Sequence, residues 1–159
     1  MNVLQIRWQR LLDEKGQTCD RCGTTEIMVE EAVNKLKGSL KGLGIDVVLE
    51  KSAISSSEFT KDTLQSNRIW VAEKPIEEWL SATTGQSKCC TVCGESDCRT
   101  VTVDGKTYEA IPSELIVKAG LLAGAQLVQG KPVSPCCPPA EPPKGGSGCC
   151  PPSSPSHTK

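Results

Sequence analysis

Aromatic side chains are scarce in this chain: three Trp, one Tyr and one Phe among 159 residues. Trp8, Trp70 and Trp79 are therefore expected to serve as core packing rather than as a ligand platform. Histidine is scarcer still. His157 is the single one and lies in a Pro/Ser-rich stretch, which excludes a Cys–His nucleophile pair. No sign of charge dominates, with 18 basic and 19 acidic residues and a pI near 5.9. Without a basic patch there is nothing to attract nucleic acid or an anionic membrane. Long apolar runs are missing too. "MNVLQIRWQRLL" is interrupted by Gln and Arg and does not read as a signal peptide. "AGLLAGAQLV" at 119–128 is too short to span a bilayer. "KGLG" and "KGGSG" lack the Lys-Ser/Thr of a phosphate loop, so no nucleotide or flavin is expected. A cytoplasmic protein without membrane insertion is the expectation, and in that compartment thiols stay reduced.

What the chain does have is cysteine. Ten are present, almost all in tight groups: Cys19 and Cys22; Cys89, Cys90, Cys93 and Cys98; Cys136-Cys137; Cys149-Cys150. Nine of the eleven prolines fall at 129–159, with "GGSG" and "SSPS". That composition cannot offset its ordering entropy, so a disordered tail is expected at 129–159 and a domain at 1–128.

Within the domain, Leu4, Ile6 and Trp8 alternate with Gln5, Arg7 and Gln9, as in a half-buried strand over 3–10. Val29, Val33, Leu36, Leu40 and Leu43 set a helical stripe over 25–43, with Glu31 and Lys35 an i,i+4 pair and Gly44 the stop. Strands are expected at 45–50 and 67–71, then a short helix opened by Pro75. Asp104-Gly105 supplies a hairpin turn, and Pro112 opens a closing helix over 112–128. In that helix Gly120 and Gly124 allow close packing. The pattern is an α/β domain of thioredoxin-like type, a β-α-β core with further strands, a β-hairpin and a closing helix. The polar Gln5, Arg7 and Gln9 require either that the first strand lies at an edge or that one sheet face is open.

Cys19-Asp-Arg-Cys22-Gly and Cys90-Thr-Val-Cys93-Gly share the shape of a zinc knuckle, whose spacing turns both sulfurs inward. If the loops meet, Cys19, Cys22, Cys90 and Cys93 make a four-thiolate site, with Cys89 and Cys98 auxiliary. The same Cys19-x-x-Cys22 before a helix also suits a thiol–disulfide oxidoreductase, Cys19 as nucleophile and Cys22 as resolver. There Arg21 would lower the thiol pKa and Asp20 would oppose it. Lys88 and Arg99 flank Cys89 and Cys98 and would give them thiolate character, as exchange ligands or as resolving cysteines of a redox relay. The doublets favour binding. Adjacent Cα atoms sit about 3.8 Å apart, too close for an ordinary disulfide span of about 4.4–6.8 Å. Cys89-Cys90, Cys136-Cys137 and Cys149-Cys150 instead offer paired soft sulfurs to zinc, Cu(I), Hg(II) or As(III). A third reading is an interaction module whose zinc is purely structural. Glu30-Glu31 and Glu77-Glu78 read as solvated helix faces.

"TCDRCG", "LQSNRIW", "IEEWL", "CCTVCG", "CRT" and "YEAIPSELI" resemble a family of small prokaryotic cysteine-rich proteins of unassigned function, generally considered thioredoxin-like. That resemblance covers residues 3–128 and implies a fold but no activity. The tail doublets resemble those of the arsenite metallochaperones, which pass trivalent arsenic to an efflux ATPase. This resemblance implies metalloid handling at Cys136, Cys137, Cys149 and Cys150, and a metal-transport or redox protein as partner. The core motif departs from theirs: "CC-x-x-C" at 89–93 lies in a late loop, whereas theirs follows the first strand.

Overall fold

The computed structural model describes residues 2–89 and 93–130. Cys90, the four tail cysteines and the expected tail beyond residue 130 lie outside the described residues.

The main sheet grows from β1 (Asn2–Leu11), the helix α1 (Asp20–Leu40) and β2 (Ile45–Ile54). β1 and β2 pair in parallel along their whole length, from Asn2 opposite Ile45 to Leu11 opposite Ile54. A short helix α2 (Ser56–Lys61) follows, opened by a capping box in which Ser55 and Glu58 satisfy each other's backbone N–H groups. β3 (Arg68–Val71) then pairs antiparallel with β1, and the two-residue β4 (Lys74–Pro75) pairs antiparallel with β3. The strand order is β2-β1-β3-β4. After α3 (Ile76–Leu80), a second sheet of β5 (Thr83–Lys88), β6 (Asp97–Val103) and β7 (Lys106–Tyr108) precedes the closing helix α4 (Ser113–Gln129). The α/β class expected from the sequence is the class observed.

β1 is central rather than an edge strand, so its polar alternate residues mean an open sheet face. Leu4, Ile6 and Trp8 are fully buried with Val47, Ile69 and Val71, on the side where α1 and α4 pack. Opposite, Val3 is 53% exposed, and Arg7 and Arg68 both stack on Trp70, at 4.1 and 4.7 Å from its ring centroid. The stacked guanidinium groups shield the indole where no helix does. Trp8 is core, as expected, and its indole N–H donates to Asn67 Oδ1 at 3.2 Å.

Gly120 and Gly124 are packing glycines. A Cβ on Gly120 would overlap the Leu36 side chain, and one on Gly124 would sit 3.0 Å from Leu40 Cδ2. Their absence lets α4 lie close against α1. Asp104-Gly105 makes the hairpin turn with φ of 50° and 77°.

Two expectations need correction, and one strand was not anticipated. α1 begins at Asp20, five residues before the expected helix start at 25, so Cys22 lies inside the helix and not in a loop. β5, "TTGQSK", shows no apolar alternation and forms because β6 supplies its pairing partners. Glu77 is buried rather than solvated: its Oε1 accepts from Arg99 Nε at 3.1 Å. Glu78 is exposed, as expected.

Candidate metal centre

The chain leaves β1 through a turn in which Asp13 accepts from the N–H groups of Lys15 and Gln17 at 2.9 and 2.7 Å. It delivers Cys19 as the N-cap of α1. Cys19 has extended backbone (φ −76°, ψ 163°), and its Sγ accepts the Cys22 N–H at 3.5 Å. A sulfur thus occupies the capping position usually held by Ser, Thr, Asp or Asn. Cys22, one turn on, is buried and lies 3.7 Å from Ser66 Oγ.

The second group arrives from the other sheet. Cys89 follows β5 directly, and Cys98 lies in β6 opposite Ser87. Arg21 ties the two groups together. Its guanidinium donates to the Lys88 carbonyl at 2.8 Å, to Ser87 Oγ at 3.1 Å and to the Cys98 carbonyl at 3.3 Å, and pairs with Glu109 at 2.9 Å. Its side chain is 7% exposed. One planar fork therefore pins the start of α1 to the base of the β5–β6 hairpin.

The result is a shared pool of sulfurs. The Sγ atoms of Cys19, Cys89 and Cys93 all lie within 4.8 Å of one another, with Cys19 and Cys89 3.6 Å apart. Cys98 Sγ is 3.0 Å from Cys93 Sγ. Cys19, Cys22, Cys93 and Cys98 are buried and Cys89 is half-exposed. Two sulfurs bound to one tetrahedral zinc at about 2.3 Å stand about 3.8 Å apart, which the Cys19–Cys89 spacing nearly matches. Cys89, expected as auxiliary, is in the trio; Cys22, expected as a fixed ligand, stands outside it but bonds to Cys19.

The electrostatics differ from those expected of a helix-activated nucleophile. A hydrogen bond shared with Cys22, together with burial, pushes the Cys19 thiol up to about 12. The same bond holds Cys22 below the ordinary thiol value, against its burial. Burial raises Cys93, reinforced by its bond with Cys98, and takes Cys98 up to about 12. The nearby cations are engaged elsewhere. Arg21 serves carbonyls, Ser87 and Glu109, and Arg99 binds Glu77, the Leu64 carbonyl at 2.9 Å and Thr84 at 3.1 Å. The expectation that Arg21 and Arg99 activate the thiols is corrected accordingly. What sequence reasoning missed at this site is the clamp role of Arg21 and the placement of Ser66 beside Cys22. "LQSNRIW" contains the serine, but nothing in its spacing from Cys22 points to contact.

Residues 4–120 match the family described as "Domain of unknown function (DUF2703)", and the chain belongs to it. It is also similar to an "Uncharacterized protein" of Archaeoglobus fulgidus, 39% identical over 113 residues, covering 71% of this chain and 82% of that protein. No solved structure matches. Among the described residues, no helix is long and apolar enough to cross a membrane.

Proposed function

We propose that this chain binds a soft metal or metalloid ion through cysteine thiolates, with Cys19, Cys89 and Cys93 as the central ligands. The observation that carries the reading is the convergence of these three sulfurs, from two sheets, to within 4.8 Å of one another. Thiols pushed up by burial are reluctant to ionise alone. A thiophilic cation supplies the missing positive charge, so the cluster favours an ion over free thiolates. Zinc, Cu(I), Hg(II) and As(III) all fit the donor set. Cys90, adjacent in sequence to the trio, is a further ligand in this reading. The doublets Cys136-Cys137 and Cys149-Cys150 capture or transfer the ion, in a cytoplasmic setting and with a metal-transport or redox protein as recipient.

The strand order, the parallel β1–β2 pair and Cys19-x-x-Cys22 at the start of α1 support a thioredoxin-like reading of the fold. They also support the second function, thiol–disulfide exchange. Against it, Cys19 is held protonated and Cys22 is 1% exposed, so neither offers an accessible thiolate to a protein disulfide.

The test is anaerobic titration of the chain, with serine at positions 136, 137, 149 and 150 so that the core alone answers, with zinc, cadmium and arsenite, followed by native mass spectrometry. Tight binding that is lost in the Cys19→Ser, Cys89→Ser and Cys93→Ser variants supports the reading. A chain that binds none of them, yet is rapidly and reversibly reduced by a thioredoxin reductase, favours exchange. Global unfolding on chelation would make the ion structural.

A further inference from the structure

Cys98 lies outside the trio and is 1% exposed, yet its sulfur is the nearest neighbour of the Cys93 sulfur. The Cys93–Cys98 separation of 3.0 Å is shorter than the 3.6 Å between Cys19 and Cys89. It is also well short of the about 3.8 Å that two sulfurs keep on one tetrahedral ion. That spacing suits bond formation between the two sulfurs better than joint ligation. A disulfide is about 2.05 Å long, so the pair needs to close by only about 1 Å, within reach of side-chain rotation. The backbone supports the approach: Gly94, at φ 65°, turns the chain immediately after Cys93, and Ser96 N–H donates back to the Cys93 carbonyl at 3.4 Å. Cys98 is fixed by β5–β6 pairing and by the Arg21 bond to its carbonyl.

We infer that Cys93 and Cys98 form a reversible dithiol–disulfide couple whose oxidation withdraws Cys93 from the ion and so makes the site release it. The inference rests on the reading of Cys93 as a ligand. The oxidant is a hydroperoxide, small enough to reach a buried sulfur. The ion-bound Cys93 thiolate attacks one peroxide oxygen; the O–O bond breaks, the departing oxygen takes a proton from solvent, and Cys93 sulfenic acid and one water (or alcohol) form. Cys98 sulfur then attacks Cys93 sulfur, the S–O bond breaks, and the hydroxyl leaves as water with the Cys98 proton. Two electrons pass from the thiols to the peroxide. Two equivalents of an external thiol reverse the change, leaving as their own disulfide. With Cys93 bonded to Cys98, only Cys19 and Cys89 of the trio remain.

The experiment uses the full chain with serine at positions 136, 137, 149 and 150, so that the core alone answers. The zinc-loaded protein receives one equivalent of hydrogen peroxide without oxygen, zinc release is followed with a chromogenic chelator, and peptides are mapped. The expected result is loss of the bound zinc, a mapped Cys93–Cys98 bond, and full reloading after dithiothreitol and fresh zinc. In Cys98→Ser the sulfenic acid has lost its nearest partner, so dimedone should trap more adduct at Cys93 than in the parent chain. A disulfide joining another pair, or a Cys98→Ser chain that releases zinc reversibly with no adduct, overturns the inference. Mapping the parent chain keeps the answer independent of how that variant folds. If the chain never holds zinc, cadmium or arsenite, the ion reading fails and the release with it, whereas a mapped Cys93–Cys98 bond still establishes the couple. Zinc held firmly while the bond fails to form sinks the couple alone.

Discussion

Removing the Arg21 side chain should loosen the cluster more than removing any other residue that is not a cysteine. In Arg21→Ala the Lys88 carbonyl and Ser87 Oγ lose a charged donor at 2.8 and 3.1 Å. Hydrogen bonds to charged groups contribute about 1.5–3 kcal/mol each; with the Lys88 bond exposed to water and discounted for it, the two together account for about 3 kcal/mol. The Glu109 pair adds little because that carboxylate is 62% exposed and screened by water. The longer contact to the Cys98 carbonyl, at 3.3 Å, adds a fraction more. A loss of about 3 kcal/mol should lower Tm by roughly 10 °C in a domain of this size. Thermal unfolding of reduced, ion-free protein by circular dichroism reads that change. Ion affinity measured by chelator competition should fall alongside it, since the helix start and the hairpin base are no longer held together. Arg21→Lys should be intermediate, because a single ammonium cannot copy the planar fork. Glu109→Gln should change Tm by no more than the equivalent of about 1 kcal/mol. An Arg21→Ala chain with parental Tm and parental affinity would refute the clamp.

Other outcomes follow from the same structure. Glu77→Ala leaves the Arg99 guanidinium buried without its carboxylate and should cost about 3–5 kcal/mol in denaturant unfolding, whereas replacing both by apolar residues of similar volume should cost much less. Gly120→Val forces α4 away from Leu36 and should destabilise by about 1–3 kcal/mol or more, read as a lower midpoint with unchanged m. Zinc affinity should rise with pH between 6 and 8, about tenfold per unit for each proton displaced from Cys19 or Cys93, because both stay protonated in the free site; a flat profile contradicts this. The ion-free protein should behave in the opposite sense. Cys19 and Cys98 stand at about 12 folded against 9.0 unfolded, so the folded state keeps protons the unfolded chain has lost. The contribution of these two groups is full below pH 9 and falls as pH rises toward about 12, offset in part by Cys22, whose lowered pKa adds stability as pH rises toward 9.0; urea unfolding across that window reads the net fall above pH 9.

Much of the fold could be read from periodicity. The β1 alternation, the α1 stripe and the Asp104-Gly105 turn each follow from local sequence, and the main sheet is assembled from such segments. β5 was illegible because "TTGQSK" carries no apolar period; its conformation comes from pairing with β6. The expected start of α1 at 25 was too late because the apolar stripe begins only at Val29, whereas a cysteine serves as the cap at Cys19. At the site, sequence showed which cysteines group along the chain. It could not show that Cys89 rather than Cys22 joins Cys19 and Cys93, since that depends on how two sheets dock. The roles of Arg21, Arg99 and Glu77 were hidden for the same reason. Each charge is settled by a partner distant in sequence, so a neighbouring cysteine was the wrong guide to where it acts.

X-ray absorption on the anaerobic zinc-loaded chain, carrying serine at the four tail cysteines, tests the central claim most directly. The account expects one zinc per chain with at least three sulfur neighbours at about 2.3 Å, reduced in number by Cys89→Ser. A first shell of oxygen or nitrogen alone, or a chain that retains no zinc, would contradict it.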